Sequence, residues 1–490
     1  MGVDVPGWGV PDGAAPAPSP ALEVASRLAR DMARVLASRQ EAMTGLLADL
    51  VNRDSPSDHK PLLDEMAAFL EEELARRGAR VDRVRQRQAG DHLVARFFTP
   101  PTVSPGDHAP GVRGTAGGAS GSMSGSASGS PRGEAPDEPP AAGGRRGVLL
   151  LAHYDTVWPP GEAVRRPFRR EGTRGYGPGS FDMKAGIVIG LAALEALAAV
   201  AGRRAPRPEG ERREGADPSA APTAAAAAAV LPPVTFLLTS DEETGSTTSR
   251  ALIEELAPRH QAVLVLEPAA GGRLKTARKG TGDFRLEVEG REAHAGNDPE
   301  RGVSAVEELA RQVLRLHALT DPGRGTTVNV GVVRGGMRPN VVAGRAEAEV
   351  DVRVTSMAEA RRLEALFRRW EPVNPAARVR MVGGFNRPPM EFTPANQALF
   401  RRAQAVGEWL GMKVEGTAVG GASDGNFTSA LGIPTLDGLG ATGDGAHARD
   451  EHVELDELPR RAALLAALIL DLSLRPLAAQ DGAGGRQDRP

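Results

Sequence analysis

The stretch GVLLLAHYD, residues 147–155, decides the fold because a short apolar run leads directly into three polar side chains. Two more short apolar runs, 234–239 and 262–266, are likewise bounded by polar or turn residues. Runs of this length predict buried strands. Helical segments fall before and between them, notably 21–52 and 184–200. Strands that alternate with helices predict an α/β fold with a largely parallel sheet and helices on both faces.

The region 281–386 has a pattern of its own. Alternating and helical periodicities predict, in order, segments at 283–292, 303–319, 327–334, 345–354, 358–370 and 379–382. The resulting order β-α-β-β-α-β is that of a ferredoxin-like domain. We therefore expect an inserted α+β domain at 281–386, within a first domain formed by 21–280 and 387–477.

Four segments have the composition of disordered chain or linkers: 1–20, about 100–146, about 202–233 and 478–490. They are rich in Gly, Ser, Pro or Ala and hold too few apolar residues to offset the entropy of ordering them. The two internal segments lie between predicted strands and helices. We interpret them as insertions in surface loops, which cost little because the entropy of loop closure grows slowly with length.

Bulk composition excludes several classes of protein. The 490 residues carry a net charge of −3, which gives no attraction to nucleic acid or to an anionic membrane. The chain has no cysteine, so disulfides and thiolate metal sites are excluded. The N-terminus lacks the basic and apolar regions of a secretory signal, and no uncharged apolar run reaches membrane-spanning length. We therefore expect a cytoplasmic protein.

Side chains of the types that bind metals follow the three predicted buried strands, and two more lie in the loop before the helix at 184–200 and after a glycine-rich stretch late in the chain. Because ligands in an open parallel sheet lie at the carboxyl ends of the strands, these side chains are expected to meet at one edge. Histidine and carboxylate ligands suit zinc, and a shared carboxylate bridges metals about 3.5–4 Å apart. We expect two divalent ions, held by His153, Asp182, Glu243, Glu267 and His447.

Two further carboxylates have predicted roles beside the metals. Asp155, two residues after His153, can accept the second N–H of the imidazole and fix the orientation of the ring. Glu242 precedes the ligand Glu243 and is placed to take a proton from the attacking water and pass it to the leaving amine.

The motifs together resemble those of the co-catalytic zinc exopeptidase family, which includes the carboxypeptidase G, acetylornithine deacetylase, succinyl-diaminopimelate desuccinylase and aminoacylase branches. The resemblance covers roughly 22–474 apart from the two insertions, and the motifs keep the family's order. They are His153-Tyr154-Asp155-Thr156-Val157, Asp182-Met183-Lys184-Ala185-Gly186, Asp241-Glu242-Glu243-Thr244-Gly245-Ser246, Glu267-Pro268, Ala293-His294-Ala295-Gly296, Gly420-Gly421-Ala422-Ser423-Asp424, and His447 with Glu451 and Val453.

The resemblance implies a role for each residue. Asp182 bridges both metals, His153 and Glu267 complete one site, and Glu243 and His447 complete the other. The peptide bond after Asp182 is expected to be cis. The inserted domain is expected to form a homodimer, in which His294 reaches the active site of the partner and stabilises the oxyanion. We choose His447 over the nearby His452 because Glu451 and Val453 then keep the family's spacing.

The carboxypeptidase G branch fits best. In that branch, residues at the positions of Asn340, Arg353 and Arg387 bind the substrate, and Lys275 could join them. Arginine binds carboxylates in a bidentate manner, so Arg353 and Arg387 are suitable anchors for a C-terminal acid. Arg353 has an equally simple interpretation as a solvated residue of a strand.

The leading hypothesis is a zinc carboxypeptidase that acts on peptides or N-acyl amino acids and releases an amino acid such as glutamate. Cobalt and manganese accept similar ligands. One alternative is an N-acyl amino acid deacylase with the same mechanism. A second is a metal-bound dimeric binding protein without turnover, against which the intact Glu242 argues.

Overall fold

The computed structural model describes residues 20–99, 146–202 and 231–477. The four low-complexity segments predicted at 1–20, 100–146, 202–233 and 478–490 lie outside these residues, except for a few residues at their borders.

The helices of the described residues are, in chain order, α1 Pro20–Ala37, α2 Gln40–Val51, α3 Lys60–Arg76, α4 Glu162–Arg165, α5 Ala185–Gly202, α6 Arg250–Leu256, α7 Ala305–His317, α8 Met357–Phe367, α9 Pro394–Trp409, α10 Gly425–Ala430 and α11 Leu458–Leu474. The strands are β1 Arg80–Val84, β2 His92–Phe97, β3 Gly147–His153, β4 Arg169–Glu171, β5 Arg174–Tyr176, β6 Val234–Thr239, β7 His260–Val265, β8 Leu274–Arg278, β9 Gly280–Glu289, β10 Thr327–Gly335, β11 Arg345–Val354, β12 Arg378–Arg387, β13 Gly416–Val419, β14 Thr435–Leu436, β15 Gly443–Asp444 and β16 His452–Glu454.

A six-stranded sheet in the order β1-β2-β6-β3-β7-β14 forms the centre of the catalytic domain. The four strands β6, β3, β7 and β14 are parallel, which confirms the predicted parallel sheet. β1 and β2 extend it as an antiparallel edge that was not predicted. Every residue of β3, β6 and β7 is buried, as expected for strands covered on both faces.

Helices cover both faces of this sheet. One face packs against the large core formed with α1, α2, α3, α5, α9 and α11, and the other packs against α6 and α10. Within the described residues one helical stretch, Ser180–Ala201, is long and apolar enough to cross a membrane, but 78% of its apolar window is buried inside the fold. It contacts α11 and α1, so burial in the core explains its apolar composition.

The single helix predicted at 21–52 is wrong, because α1 ends at Ala37 and α2 begins at Gln40. Arg39, between the two helices, forms an ion pair with Glu195 of α5. Periodicity alone does not register a break of two residues, since the apolar faces of α1 and α2 both pack on the same core.

The inserted domain has the predicted order β9-α7-β10-β11-α8-β12. Its antiparallel sheet runs β10-β11-β9-β12, and its own apolar core lies between that sheet and the two helices. Ser304 and Ser356 cap α7 and α8 by accepting the backbone N–H three residues on. β9 begins at Gly280 and β12 ends at Arg387, one residue beyond each predicted boundary.

Two small sheets complete the surroundings of the site. β8 and β13 form a parallel pair that extends beyond the end of β7. A second sheet, in the order β15-β16-β5-β4, holds the segment between Asp444 and His452 against the loop that precedes α5. These contacts carry His447 to the carboxyl edge of the central sheet.

Candidate metal centre

The structure brings the five predicted metal ligands together at the carboxyl edge of the central sheet. They lie at the end of β3, in the loop before α5, after β6, after β7 and after β15, and are His153, Asp182, Glu243, Glu267 and His447. The strands end at the same edge because they are parallel, and this places their following residues side by side.

Asp182 lies between the two histidines. Its Oδ1 is 3.3 Å from His153 Nε2, and its Oδ2 is 3.5 Å from His447 Nε2. The two oxygens of one carboxylate thus face different imidazoles, as a ligand that bridges two metals requires. Asp182 Oδ1 is buried and has no hydrogen-bond partner among the described residues. Such an atom needs a cation or donor to offset its burial, which a metal ion would supply.

A second carboxylate completes each half of the centre. Glu267 Oε1 is 3.4 Å from His153 Nε2, and Glu243 Oε1 is 3.1 Å from His447 Nε2. Potential ligand atoms of His153, Asp182 and Glu243 also lie within 4.8 Å of one another. Each half therefore offers an imidazole, an end carboxylate and one oxygen of Asp182, a donor set that suits zinc.

The carboxylates change the pKa of both histidines. Burial opposes the charged form of His153, but the neighbouring carboxylates of Asp155, Asp182 and Glu267, at 3.3–3.4 Å, raise its pKa well above the usual value. Hydrogen bonds with Asp182 and Glu243 raise the pKa of His447 to about 10. Both imidazoles therefore favour a proton when no metal is bound, and metal binding must release it.

Asp155 organises the segment around His153, by a route that differs partly from the prediction. His153 Nδ1 is 3.0 Å from the backbone carbonyl oxygen of Asp155 and 3.4 Å from its Oδ1. The carboxylate of Asp155 accepts the backbone N–H of both Glu242 and Glu243, each at 3.2 Å, and the hydroxyl of Ser57 at 2.8 Å. One buried aspartate thus connects an imidazole ligand with the segment that carries the proposed base.

Glu242 is buried beside the ligands, and its Oε1 lies 2.9 Å from a guanidinium nitrogen of Arg387. Burial raises the pKa of Glu242 well above its usual value, although Arg387 opposes the shift. Arg387 also donates to the backbone carbonyl of Glu242 at 2.8 Å and contacts Asp424 Oδ1 at 3.2 Å. The predicted base and the predicted anchor therefore touch each other.

The loop that presents Asp182 has the predicted cis peptide bond, between Asp182 and Met183. Glu451 holds this loop. Its carboxylate accepts the backbone N–H of Gly179 and Phe181 at 2.9 Å and of Asp182 at 3.0 Å, and the indole N–H of Trp158 at 3.1 Å. His447 has φ 62°, a left-handed conformation that a non-glycine residue adopts only when its surroundings impose it.

Three predicted residues stand in the inserted domain, apart from the cluster. His294 is exposed, and its Nδ1 accepts the N–H of Gly296 at 3.2 Å and of Asn297 at 3.0 Å. Asn340 is next to this turn, since its carbonyl accepts the N–H of Ala295. Arg353 forms an ion pair with Asp351 on its own strand. The predicted roles, stabilisation of the oxyanion by His294 and substrate binding by Asn340 and Arg353, are not tested by these contacts and stay predictions.

Lys275 does lie at the centre, with its Nζ 3.9 Å from Glu267 Oε2. Burial and the neighbouring Arg278 lower the pKa of Lys275. Two other residues of the site were missed. Asp424 contacts Arg387 and lies in a motif that had been quoted without a role, whereas Arg278 contacts Glu267 at 3.2 Å and gave no local signal.

A parallel sheet whose strand ends hold a two-metal set of histidines and carboxylates, next to a buried glutamate, defines a metal-dependent hydrolase. The family model described as peptidase family M20/M25/M40 matches residues 149–206, and the peptidase dimerisation domain matches 276–371. Carboxypeptidase G2 of Pseudomonas sp. (strain RS-16) is 30% identical over 340 residues, covering 67% of this chain and 74% of that protein. The chain belongs to the M20/M25/M40 family of metallopeptidases.

Solved structures agree with this fold. Aminopeptidase PepT from Bacillus cereus ATCC 10987 has a TM-score of 0.64 at 20% identity and covers 88% of this chain and 98% of its own. The YXEP protein of Bacillus subtilis, described as a dinuclear metal binding peptidase, has a TM-score of 0.57 at 12% identity and covers 90% and 99%. These likenesses establish the catalytic and inserted domains as one known architecture.

Proposed function

We propose that the chain is a zinc carboxypeptidase, which hydrolyses an amide bond next to a free carboxylate and releases a C-terminal amino acid such as glutamate. The observation that carries this proposal is the position of Arg387 against the carboxylate of Glu242. A guanidinium beside the base is suited to bind the substrate's carboxylate close to the bond that is cut. The Nε of Arg387 is buried and has no partner among the described residues, so it has a donor to offer.

Lys275 gives the site a second cation. It lies within 3.9 Å of Glu267 and is mostly buried. Two cations beside the metal ligands and the base suit a product with more than one carboxylate, such as glutamate. The name of the relative carboxypeptidase G2 supports the same class of reaction.

His153, Asp182 and Glu267 would hold one ion, and Asp182, Glu243 and His447 the other. We expect zinc, although cobalt and manganese accept similar ligands. When bound, such ions polarise the attacking water and the scissile carbonyl. The buried Asp182 Oδ1, which lacks a hydrogen-bond partner among the described residues, and the two imidazoles that face it fit this assignment.

The proton transfers fall to Glu242. Its burial raises its pKa, which makes it a stronger base toward the attacking water than an exposed carboxylate. The same proton then goes to the nitrogen of the leaving amine. Asp155 fixes the backbone N–H groups of Glu242 and Glu243 and so aligns the base with the ligand that follows it.

His294 is exposed, and the described residues show no contact between it and the metal cluster of its own chain. We propose that the inserted domain forms a homodimer and that His294 of a second copy enters the site to stabilise the oxyanion. The match of 276–371 to a peptidase dimerisation domain supports the dimer.

The test is a panel of N-acyl amino acids and dipeptides, assayed with zinc, with a chelator, and with Glu242→Gln. Glu254→Gln is the matched control, since Glu254 is a glutamate that pairs with Arg250 on the surface of α6. The proposal predicts chelator-sensitive release of a C-terminal amino acid that Glu242→Gln lowers about 100- to 10,000-fold while Glu254→Gln preserves it. Faster hydrolysis of acetyl-ornithine substrates than of acyl-glutamates would favour a deacylase. Metal binding without turnover of any substrate would contradict the proposed carboxypeptidase activity.

A further inference from the structure

Arg278, the last residue of β8, is a buried arginine whose five N–H groups all have acceptors. Its Nε and one terminal nitrogen contact Asp437, at 2.7 and 3.0 Å. The same terminal nitrogen lies 3.2 Å from Glu267 Oε2. The other terminal nitrogen donates to the backbone carbonyls of Gly421 at 3.2 Å and Ala422 at 3.1 Å. A guanidinium with every donor engaged has one orientation.

Asp437 holds the other side of this pair. It is fully buried, and its Oδ2 also accepts the hydroxyl of Ser423 at 2.6 Å. The backbone N–H of Gly438 contacts its Oδ1. Because Asp437 is fixed by these bonds, the fork of Arg278 is fixed as well. A bidentate pair with each partner held by further bonds resists rotation of either side chain.

The fixed guanidinium of Arg278 restricts the carboxylate of Glu267. Its Oε1 faces His153 Nε2 at 3.4 Å, and its Oε2 faces Arg278 at 3.2 Å. Arg278 therefore occupies one oxygen of the carboxylate and leaves the other directed into the metal centre. A free carboxylate at this position would have both oxygens available and could bind an ion through either or both.

We propose that Arg278, held by Asp437, is a positioning residue that restricts Glu267 to metal binding through Oε1 alone. The inference rests on the proposed two-metal function and adds a residue that sets the coordination of one of its sites. Partners that orient a metal ligand typically change metal affinity about 10- to 100-fold when they are removed.

Arg278 also joins this ligand to the base. Its two backbone contacts hold residues 421 and 422, which lead into Asp424, and Asp424 contacts Arg387, the partner of Glu242. A purely architectural arginine would not need a contact with the ligand. Arg461 provides the contrast, since it is equally buried but its acceptors within the described residues are the backbone carbonyls of Gly272, Gly438 and Gly440 rather than a carboxylate of the metal centre.

The experiment compares Arg278→Lys with Arg461→Lys in the full chain. Lysine keeps the charge but loses the fork, so both variants lose part of a buried network, and only the first removes a donor from the carboxylate of Glu267. Affinity for Zn²⁺ is measured by competition with a chromophoric chelator. The visible absorption of the Co²⁺-substituted protein reports the coordination number, which rises when a carboxylate binds through two oxygens.

The expected result is that Arg278→Lys weakens one of two metal sites by about 10-fold or more and alters the Co²⁺ spectrum. Arg461→Lys takes no donor from the carboxylate of Glu267, so it is expected to lower thermal stability and to leave the Co²⁺ spectrum unchanged. If Arg278→Lys does not fold, Asp437→Asn provides the second test and is expected to change the Co²⁺ spectrum in the same direction. Two sites of unchanged affinity with an unchanged spectrum would overturn the inference. A wild-type chain that binds no divalent ion would instead contradict the proposed function, and the inference with it.

Discussion

Glu451 Oε1 accepts the backbone N–H of Asp182 at 3.0 Å, across 269 positions of sequence. This bond and the three others that Glu451 accepts hold the loop that carries Asp182. They thereby place the carboxylate of Asp182 beside the two histidines. The position of Asp182, the proposed bridging ligand, therefore depends on a buried acid whose two oxygens already accept four N–H donors.

We predict that Glu451→Gln weakens metal binding about 10- to 100-fold, because one carboxylate oxygen becomes an NH₂ group that faces N–H donors. Bound metal per chain after dialysis against a weak chelator is the measurement. Glu454→Gln is the matched control, since Glu454 lies three residues away and pairs with Arg174 at the surface. Full metal content in Glu451→Gln would show that the loop holds Asp182 without this carboxylate.

Arg387→Met tests the proposed anchor. The proposal predicts that the wild-type chain prefers a substrate with a free C-terminal carboxylate over the same substrate as an amide. In Arg387→Met this preference, measured as the ratio of the two kcat/KM values, is expected to fall about 10- to 100-fold, because the acid loses a charge-assisted pair that the amide never made.

The ratio separates binding from a general loss of activity, which would lower both kcat/KM values together. Arg250→Met is the control, because Arg250 is exposed and contacts Glu254 and the backbone of Asn386. An unchanged ratio in Arg387→Met would mean that Arg387 serves Glu242 and Asp424 alone.

Leu266 packs closely against two glycines next to a metal ligand. A Cβ on Gly186 would lie 2.1 Å from the carbonyl oxygen of Leu266, and a Cβ on Gly440 would lie at the same distance. Since Glu267 follows Leu266, we expect Gly186→Ala to displace the start of α5 or the end of β7. The predicted cost is about 1–3 kcal/mol of unfolding free energy, together with weaker metal binding.

Gly45→Ala is the matched control for that substitution. Gly45 lies in α2, and a Cβ there meets no heavy atom within 4 Å. The change is expected to be neutral or to stabilise the helix by up to about 1 kcal/mol. Urea unfolding of the metal-free chains compares the two variants, and equal stabilities would show that the contact at Leu266 relaxes without cost.

The buried strands of the central sheet and the order of elements in the inserted domain were predictable from the sequence, whereas β1 and β2 were not, and each outcome has a physical reason. The ends of β3, β6 and β7 were predictable because fully buried strands are short apolar runs. The polar residues that end or follow these runs include His153, Glu243 and Glu267, so the ends of the runs also locate these three side chains. The ferredoxin-like order followed from alternation in the same way. β1 and β2 were not predicted because charged residues interrupt the apolar pattern of each strand, Arg80, Asp82 and Arg83 in β1 and Arg96 in β2.

The contacts that position the ligands could not be read from local patterns. Arg278 meets Asp437 across 159 positions, and Glu451 meets Asp182 across 269. Both pairings depend on the tertiary fold rather than on a periodicity of 2.0 or 3.6 residues. Asp155 was predicted to orient His153 through its carboxylate; in the folded chain its backbone carbonyl lies 3.0 Å and its Oδ1 3.4 Å from His153 Nδ1, and the carboxylate also accepts two backbone N–H groups.

A mixture of two inactive variants tests the proposed dimer. If His294 acts in the partner's site, a dimer of one His294→Ala chain and one Glu242→Ala chain has one complete site. Random exchange gives half mixed dimers with one active site each, so about a quarter of wild-type activity should return. Each variant alone and a mixture of Glu242→Ala with Glu242→Gln are the controls. No recovery after exchange would place His294 outside the partner's site.

His260 gives a pH dependence that is independent of the metal centre. Its Nδ1 lies 2.8 Å from the carbonyl oxygen of Leu256, and its Nε2 lies 2.9 Å from the hydroxyl of Thr235, so the neutral ring is satisfied. Burial lowers the pKa of His260 to about 4. The unfolded chain binds the proton near pH 6.5, and the folded chain does not until about pH 4.

Because the folded pKa is depressed, the free energy of unfolding falls as the pH drops from 7 toward 4. Between pH 7 and pH 5 the loss from this one group is about 2 kcal/mol. His260→Gln is expected to remove that part of the pH dependence, whereas His317→Gln, at the exposed end of α7, should retain it. Urea unfolding of metal-free protein at the two pH values makes the comparison, and the contributions of His153 and His447 cancel between variants. An equal fall in all three proteins would mean that His260 takes up its proton in the folded chain as readily as in the unfolded one.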